Sequence, residues 1–115
     1  MHEMGIASSV IDAVRHESEL RNGVRVLKVG LRVGEFAAVD PESLRFCFEA
    51  LIAGTDLQHL QLDVQFCHRR NHCQHCGEYF EAAEFPFICP QCDSIATESK
   101  GGDELEFAYM EIEET

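Results

Sequence analysis

Hydrophobic positions along the chain change period several times, and each change marks an element. Met4, Ala7, Val10, Ile11 and Val14 recur at i, i+3 and i+4, which gathers them on one face of a helix that Asn22-Gly23 should stop. Leu27, Val29, Leu31 and Val33 then alternate with Lys28, Gly30 and Arg32, the period of a strand with one buried face, and predict a strand over residues 24–34. Asp40 suits an N-cap and Pro41 the first helical position, so a second helix is expected with Leu44, Cys47, Phe48 and Leu51 on its apolar side before Gly54 ends it. Leu60, Leu62, Val64 and Phe66 alternate without error against Gln61, Asp63 and Gln65, giving a second strand. After the turn residues Gly101-Gly102, Leu105, Phe107 and Tyr109 alternate with Glu106, Ala108 and Met110 as a last strand.

The strand–helix–strand unit over residues 24–66 predicts a parallel pair with a right-handed crossover, and the last strand is expected to return to the same core. The pattern does not specify strand order. At 115 residues the chain supports one hydrophobic core, with room for a second lobe only if something other than apolar burial holds it together. No stretch approaches the roughly 18 apolar residues of a membrane span, and Met1-His2-Glu3-Met4 has no basic patch or apolar run of a secretory signal, so a cytoplasmic chain with no membrane contact is expected.

Charge narrows the function. Nine basic residues oppose 21 acidic ones for a net charge of −12, and residues 71–115 carry one Lys against 11 acids. Such a balance opposes any binding that neutralises phosphates, which argues against nucleic acid.

Four of the six cysteines form two matched pairs, Cys73-Gln74-His75-Cys76 and Cys89-Pro90-Gln91-Cys92, with twelve residues between them. Two such knuckles facing each other supply the four thiolates of a tetrahedral zinc ribbon. A full set of four closes the coordination sphere, so the ion is structural and not a Lewis acid. Phe80, Phe85, Phe87 and Ile88 can build only a thin local core, which leaves the metal as the main source of the lobe's stability. The same spacing also suits a rubredoxin-type iron centre, which spacing alone does not exclude. His68, His72 and His75 cluster at the first knuckle, where an imidazole could exchange into the site or simply face water. Cys67 reads as a spare ligand or a packed strand-end residue, and Cys47 as core. The expected fold is α+β, with two helices on a small mixed three-stranded sheet and an inserted zinc-ribbon lobe held by four cysteines. Residues 1–67 plus 104–115 form the α/β domain and residues 68–103 the ribbon.

The chain start adds a second metal chemistry. A methionine followed by a bulky residue is generally not trimmed, so the Met1 amine should stand one residue from the His2 imidazole. That amine, ionised backbone amides and the imidazole can form fused chelate rings in an all-nitrogen plane, which suits Ni(II) or Cu(II). No nucleophile–base pair accompanies it: Ser9 and His16 lie two turns apart on the first helix, so no enzyme is expected.

Met1-His2-Glu3-Met4 with Ser8 and Val10, Val29-Gly30-Leu31-Arg32-Val33-Gly34-Glu35, Pro41-Glu42-Ser43-Leu44-Arg45-Phe46, the paired knuckles and Gly102-Asp103-Glu104-Leu105 together resemble the hydrogenase nickel-incorporation proteins of the HypA/HybF type over essentially the whole chain. The resemblance implies a nickel metallochaperone for [NiFe]-hydrogenase maturation, some relatives also serving urease. It implies transient Ni(II) cargo on Met1, His2 and Glu3, with Asp40 as a weaker carry-over whose capping role is compatible. It also implies structural Zn(II) on Cys73, Cys76, Cys89 and Cys92. The partners implied are a GTPase accessory protein of the HypB type and the hydrogenase large-subunit precursor, with a monomer or weak homodimer as the working form. A zinc-ribbon adaptor or an electron carrier are the alternatives, and both leave Met1-His2 unexplained.

Overall fold

In the computed structural model, residues 3–81 and 86–114 are described. The first helix, α1, runs Glu3–Leu20 and buries Ile6, Ala7, Val10 and Val14. Its apolar face is rotated from the expected one, because Ile6 enters the core while Met4 stays 46 % exposed. The expected stop is present: Asn22 and Gly23 both take positive φ, and the Gly23 amide donates to the Ser18 carbonyl at 2.7 Å, closing the last turn as helix C-caps commonly do.

Strand β1 (Val26–Gly34) is followed by α2 (Pro41–Ile52) and β2 (Gln61–Cys67). Asp40 caps α2 as the sequence predicts, accepting from the Glu42 amide at 3.2 Å and the Ser43 hydroxyl at 2.8 Å. That satisfies an amide the helix itself leaves unpaired. The buried face of α2 is Leu44, Phe48 and Ile52, with Cys47 packed beside it and Leu51 turned outward. β1 and β2 pair in parallel, from Lys28 opposite Gln61 to Gly34 opposite Cys67.

Three short strands follow, β3 (Arg70–Cys73), β4 (Tyr79–Phe80) and β5 (Thr97–Lys100), and then β6 (Leu105–Ile112). The long strands form one sheet in the order β2-β1-β6, with β6 antiparallel to β1, and the short ones form a second sheet in the order β4-β3-β5. β1 is thus the middle of the main sheet. Its Val29, Leu31 and Val33 lie under the two helices with Leu44 and Phe48 in one core.

The simple alternation expected of the last strand fails at one place. Gly30 faces Tyr109 while Leu31 faces Phe107, so Ala108 is an extra residue in a β-bulge. The bulge turns Tyr109 to the outer face and lets Met110 pack on the core. On that outer face Gly30 stands between Tyr109 on one neighbouring strand and Asp63 on the other. A Cβ at Gly30 would collide with the Tyr109 ring, so the ring lies over the bare backbone and its hydroxyl donates to Asp63 Oδ2 at 2.5 Å. This contact ties all three strands together. It pushes the Tyr109 hydroxyl up to about 12 and holds Asp63 below the usual carboxylate range.

The chain leaves and re-enters the main sheet at the end of β1. Gly34 N–H donates to Glu104 O at 2.7 Å, Glu35 N–H to Cys67 O at 2.9 Å and Phe36 N–H to Gly102 O at 2.5 Å. Gly34 is required there, since any Cβ would strike the Gly102 carbonyl. The result is an elongated molecule of 54 × 29 × 16 Å.

Two outcomes test this packing. Gly34→Ala should destabilise the chain by about 1–3 kcal/mol in denaturant unfolding, because the clash is with backbone that has no rotamer to change. Tyr109→Phe should lower the unfolding midpoint at neutral pH. Folding raises the Tyr109 pKa, so its contribution is complete below the ordinary value of 10.0 and is lost as pH climbs to about 12. The wild type should therefore lose more stability than Tyr109→Phe across that window.

Candidate metal centre

The two cysteine knuckles are built alike, although one ends a strand and the other lies in a loop. In the first, Gly77 N–H donates to Cys73 O and Cys73 N–H to Glu78 O, both at 2.9 Å. In the second, Asp93 N–H donates to Cys89 O and Cys89 N–H to Ser94 O, again at 2.9 Å. The fourth residue after each leading cysteine, Gly77 or Asp93, has φ of 83° or 63°. Glycine and aspartate are residue types that tolerate this left-handed backbone. Each turn therefore presents two sulfurs toward the other knuckle.

The sulfurs of Cys73, Cys76, Cys89 and Cys92 all lie within 4.8 Å of one another. Cys73 and Cys92 are 3.6 Å apart, as are Cys76 and Cys89. A tetrahedral zinc with Zn–S bonds of about 2.3 Å requires sulfur pairs separated by roughly 3.8 Å, so the donor set fits Zn(II) in both chemistry and spacing. Cys73 and Cys89 are fully buried. The Cys76 and His75 amides stabilise a thiolate on Cys73 and hold that thiol down to about 6. At Cys92 the Ser94 amide pulls downward, but burial and the three neighbouring sulfurs outweigh it and push the thiol up to about 12. Four thiolates at this separation repel one another until a cation joins them.

Among the described residues the donor group consists of sulfur alone, and two of the three nearby histidines, His68 and His72, are engaged elsewhere. His72 stacks on Tyr79 with ring centres 4.6 Å apart, its Nδ1 3.9 Å from Glu98 Oε1. His68 meets the edge of Phe66 and lies 3.7 Å from Glu35 Oε2, while His75 faces solvent. Cys67 stands apart from the group and its thiol is pushed up, chiefly by burial.

The clasp between the sheets escaped the sequence reading. Arg69 stacks over Phe87 of the ribbon at 3.9 Å and over Phe36 of the main lobe at 5.2 Å, with its Nε 3.8 Å from Glu35 Oε1. A guanidinium between two aromatic faces is a favourable electrostatic contact. The available signal was positional: between Arg45 and Lys100 the chain has no basic residues except Arg69 and Arg70, both at the lobe boundary.

At the other candidate centre, Met1 and His2 lie outside the described residues. Glu3 and Asp40 are brought together: the Asp40 amide donates to Glu3 Oε1 at 3.2 Å, and this bond is the main cause holding Glu3 below the usual carboxylate range. The Asp40 carboxylate is meanwhile committed to Glu42 and Ser43 at the start of α2. The beginning of α1 and the loop before α2 thus form one acidic corner.

This architecture has close counterparts. A family described as "Hydrogenase/urease nickel incorporation, metallochaperone, hypA" matches residues 1–112. The hydrogenase maturation factor HypA of Chlorobaculum parvum is 36% identical over 113 residues, covering 98% of this chain and 100% of that protein. That of Chlorobium limicola is 37% identical over 115 residues, covering 99% and 98%. The solution structure of the Ni metallochaperone HypA from Helicobacter pylori shares the fold, with a TM-score of 0.63 over 97% of each chain at 21% identity. The chain therefore belongs to the HypA family of hydrogenase and urease nickel-incorporation metallochaperones, proteins that carry a metal and are not enzymes.

Proposed function

We propose that this metallochaperone takes Ni(II) on His2 and the nitrogens of Met1 and Glu3, beside Asp40, and holds Zn(II) permanently on Cys73, Cys76, Cys89 and Cys92. Nitrogen donors in a plane suit Ni(II), and a site on the first residues of a chain is open enough to lose its ion by ligand exchange. The observation that carries this reading is the bond from the Asp40 amide to Glu3, which joins the start of α1 to the loop before α2 and keeps carboxylate charge beside the proposed ligands. Zinc is scaffold and not cargo in this scheme, since four sulfurs leave no position for a further ligand.

The lobes divide the work accordingly, with residues 1–67 and 104–115 carrying nickel and residues 68–103 forming the ribbon. The partners we assign are a GTPase accessory protein of hydrogenase maturation and the hydrogenase large-subunit precursor. The compartment we assign is the cytoplasm, where six unpaired cysteines remain reduced. No helix among the described residues is long and apolar enough to cross a membrane. The ribbon offers nothing for nucleic acid, because residues 77–115 contain a single basic residue, Lys100.

Three outcomes follow. In calorimetric titration of untagged protein, His2→Ala should lose nickel binding while total zinc and the circular dichroism spectrum stay as in the wild type; retained nickel affinity rejects the assignment. One residue added ahead of Met1 should weaken nickel binding by displacing the terminal amine from its chelate ring, and equal affinity would show that this amine is not a ligand. Cys89→Ser should release zinc and expose the amides of β3, β4 and β5 to hydrogen exchange, with α1, α2 and β1 still protected, because structural zinc supplies an apparent ~10–16 kcal/mol in small domains.

A further inference from the structure

The main sheet ends on β6, and among the described residues nothing pairs with the outer edge of that strand. A free edge presents unpaired N–H and C=O groups and is a template for another strand. Beside this edge α1 leaves a trough. A cleft of about 210 Å³ lies between Ile6 and Val10 on the helix and Leu105 and Phe107 on the strand. A second, of about 540 Å³, continues it past Ala13 and His16 toward Ile112. Leu105, Phe107 and Ile112 remain 38, 47 and 39 % exposed, and exposed apolar residues gathered along one strand mark an interaction surface.

The strand and the residues that flank it in the chain are acidic, although Lys28 stands opposite Glu111 on the neighbouring strand. Residues 101–115 hold Asp103, Glu104, Glu106, Glu111, Glu113 and Glu114 and no basic residue. Arg32 neutralises Glu106, whereas Glu111 and Glu113 make no ion pair among the described residues. Pairing of β6 with a second copy would set these acids against themselves in chains that each carry a net charge of −12.

We propose that the free edge of β6 receives an extended segment of a partner protein in which apolar and basic residues alternate. Added as a strand, such a segment places its apolar side chains in the trough beside α1 and its Lys or Arg side chains on the opposite face, near Glu111 and Glu113. Backbone hydrogen bonds give the attachment, and the two faces give the selection. The trough begins at Ile6, about one helical turn from Glu3, so the docked segment lies beside the proposed nickel site, although the docking itself does not depend on where nickel binds.

The test uses the full-length, zinc-loaded protein and a decapeptide of alternating valine and lysine, followed by fluorescence anisotropy and amide chemical shifts. The peptide should bind, shift the β6 and α1 signals, and protect outward-facing β6 amides from exchange. N-methylation of alternate peptide amides should weaken it by about tenfold or more, because the strand-to-strand bonds are lost while charge and side chains remain. Phe107→Lys, at a half-exposed position, should weaken it comparably. Equal binding of the methylated peptide, equal binding of an alternating valine–glutamate peptide, or shifts confined to another surface would overturn the proposal. So would a homodimer of the chain alone that Phe107→Lys dissociates, since the occupant would then be a second copy.

Discussion

Four cysteine sulfurs lie within 4.8 Å of one another, and they cannot stay there as thiolates without a cation between them. The ribbon lobe stands on that constraint. Its strands β3, β4 and β5 are four, two and four residues long, below the usual five or six, and the hydrophobic core of the molecule lies elsewhere, under α1 and α2. The metal replaces what a hydrophobic core supplies in a larger domain. The matching backbone bonds of the two knuckles, from Gly77 to Cys73 and from Asp93 to Cys89, shape the turns so that the sulfurs converge.

The main lobe is organised around β1, the one strand of its sheet with neighbours on both sides. Its buried face supports the helices, its outer face is tied across by Tyr109 and Asp63 over Gly30, and its end is where both connections to the ribbon cross. Immediately beyond, the chain runs through Glu35 and Phe36, which meet Arg69, and on to Asp40, which meets Glu3. One short loop thus joins the clasp on the zinc lobe to the corner beside the proposed nickel ligands. β1 is thus the element to which both the zinc lobe and the corner at Glu3 and Asp40 are joined.

How much of this was legible in the sequence depended on whether the cause was local. The cap of α2 was legible because Asp40 and Pro41 act on their immediate neighbours. The zinc ligands were legible because a knuckle needs only cysteines three apart and a residue after them that accepts a left-handed turn. The rotated face of α1 was not, since Met4 and Ile6 fit the period almost equally well and only packing against the sheet decides between them. The bulge at Ala108 was hidden for a similar reason: Leu105, Phe107 and Tyr109 alternate perfectly, and the departure comes from pairing with Gly30, far back in the chain. Strand order and the Arg69 clasp likewise arise from residues distant in the chain.

Sulfur for the resident ion and nitrogen for the transported one is the chemical division we propose for this chain, the sulfur half of which stands on the four converging cysteines. X-ray absorption at the zinc and nickel edges of one sample, untagged and loaded with both metals, tests it most directly. Four sulfur neighbours around zinc, with only nitrogen and oxygen around nickel, is the result this account requires. Sulfur bound to nickel, histidine nitrogen in the zinc shell, or protein that retains no nickel would contradict it.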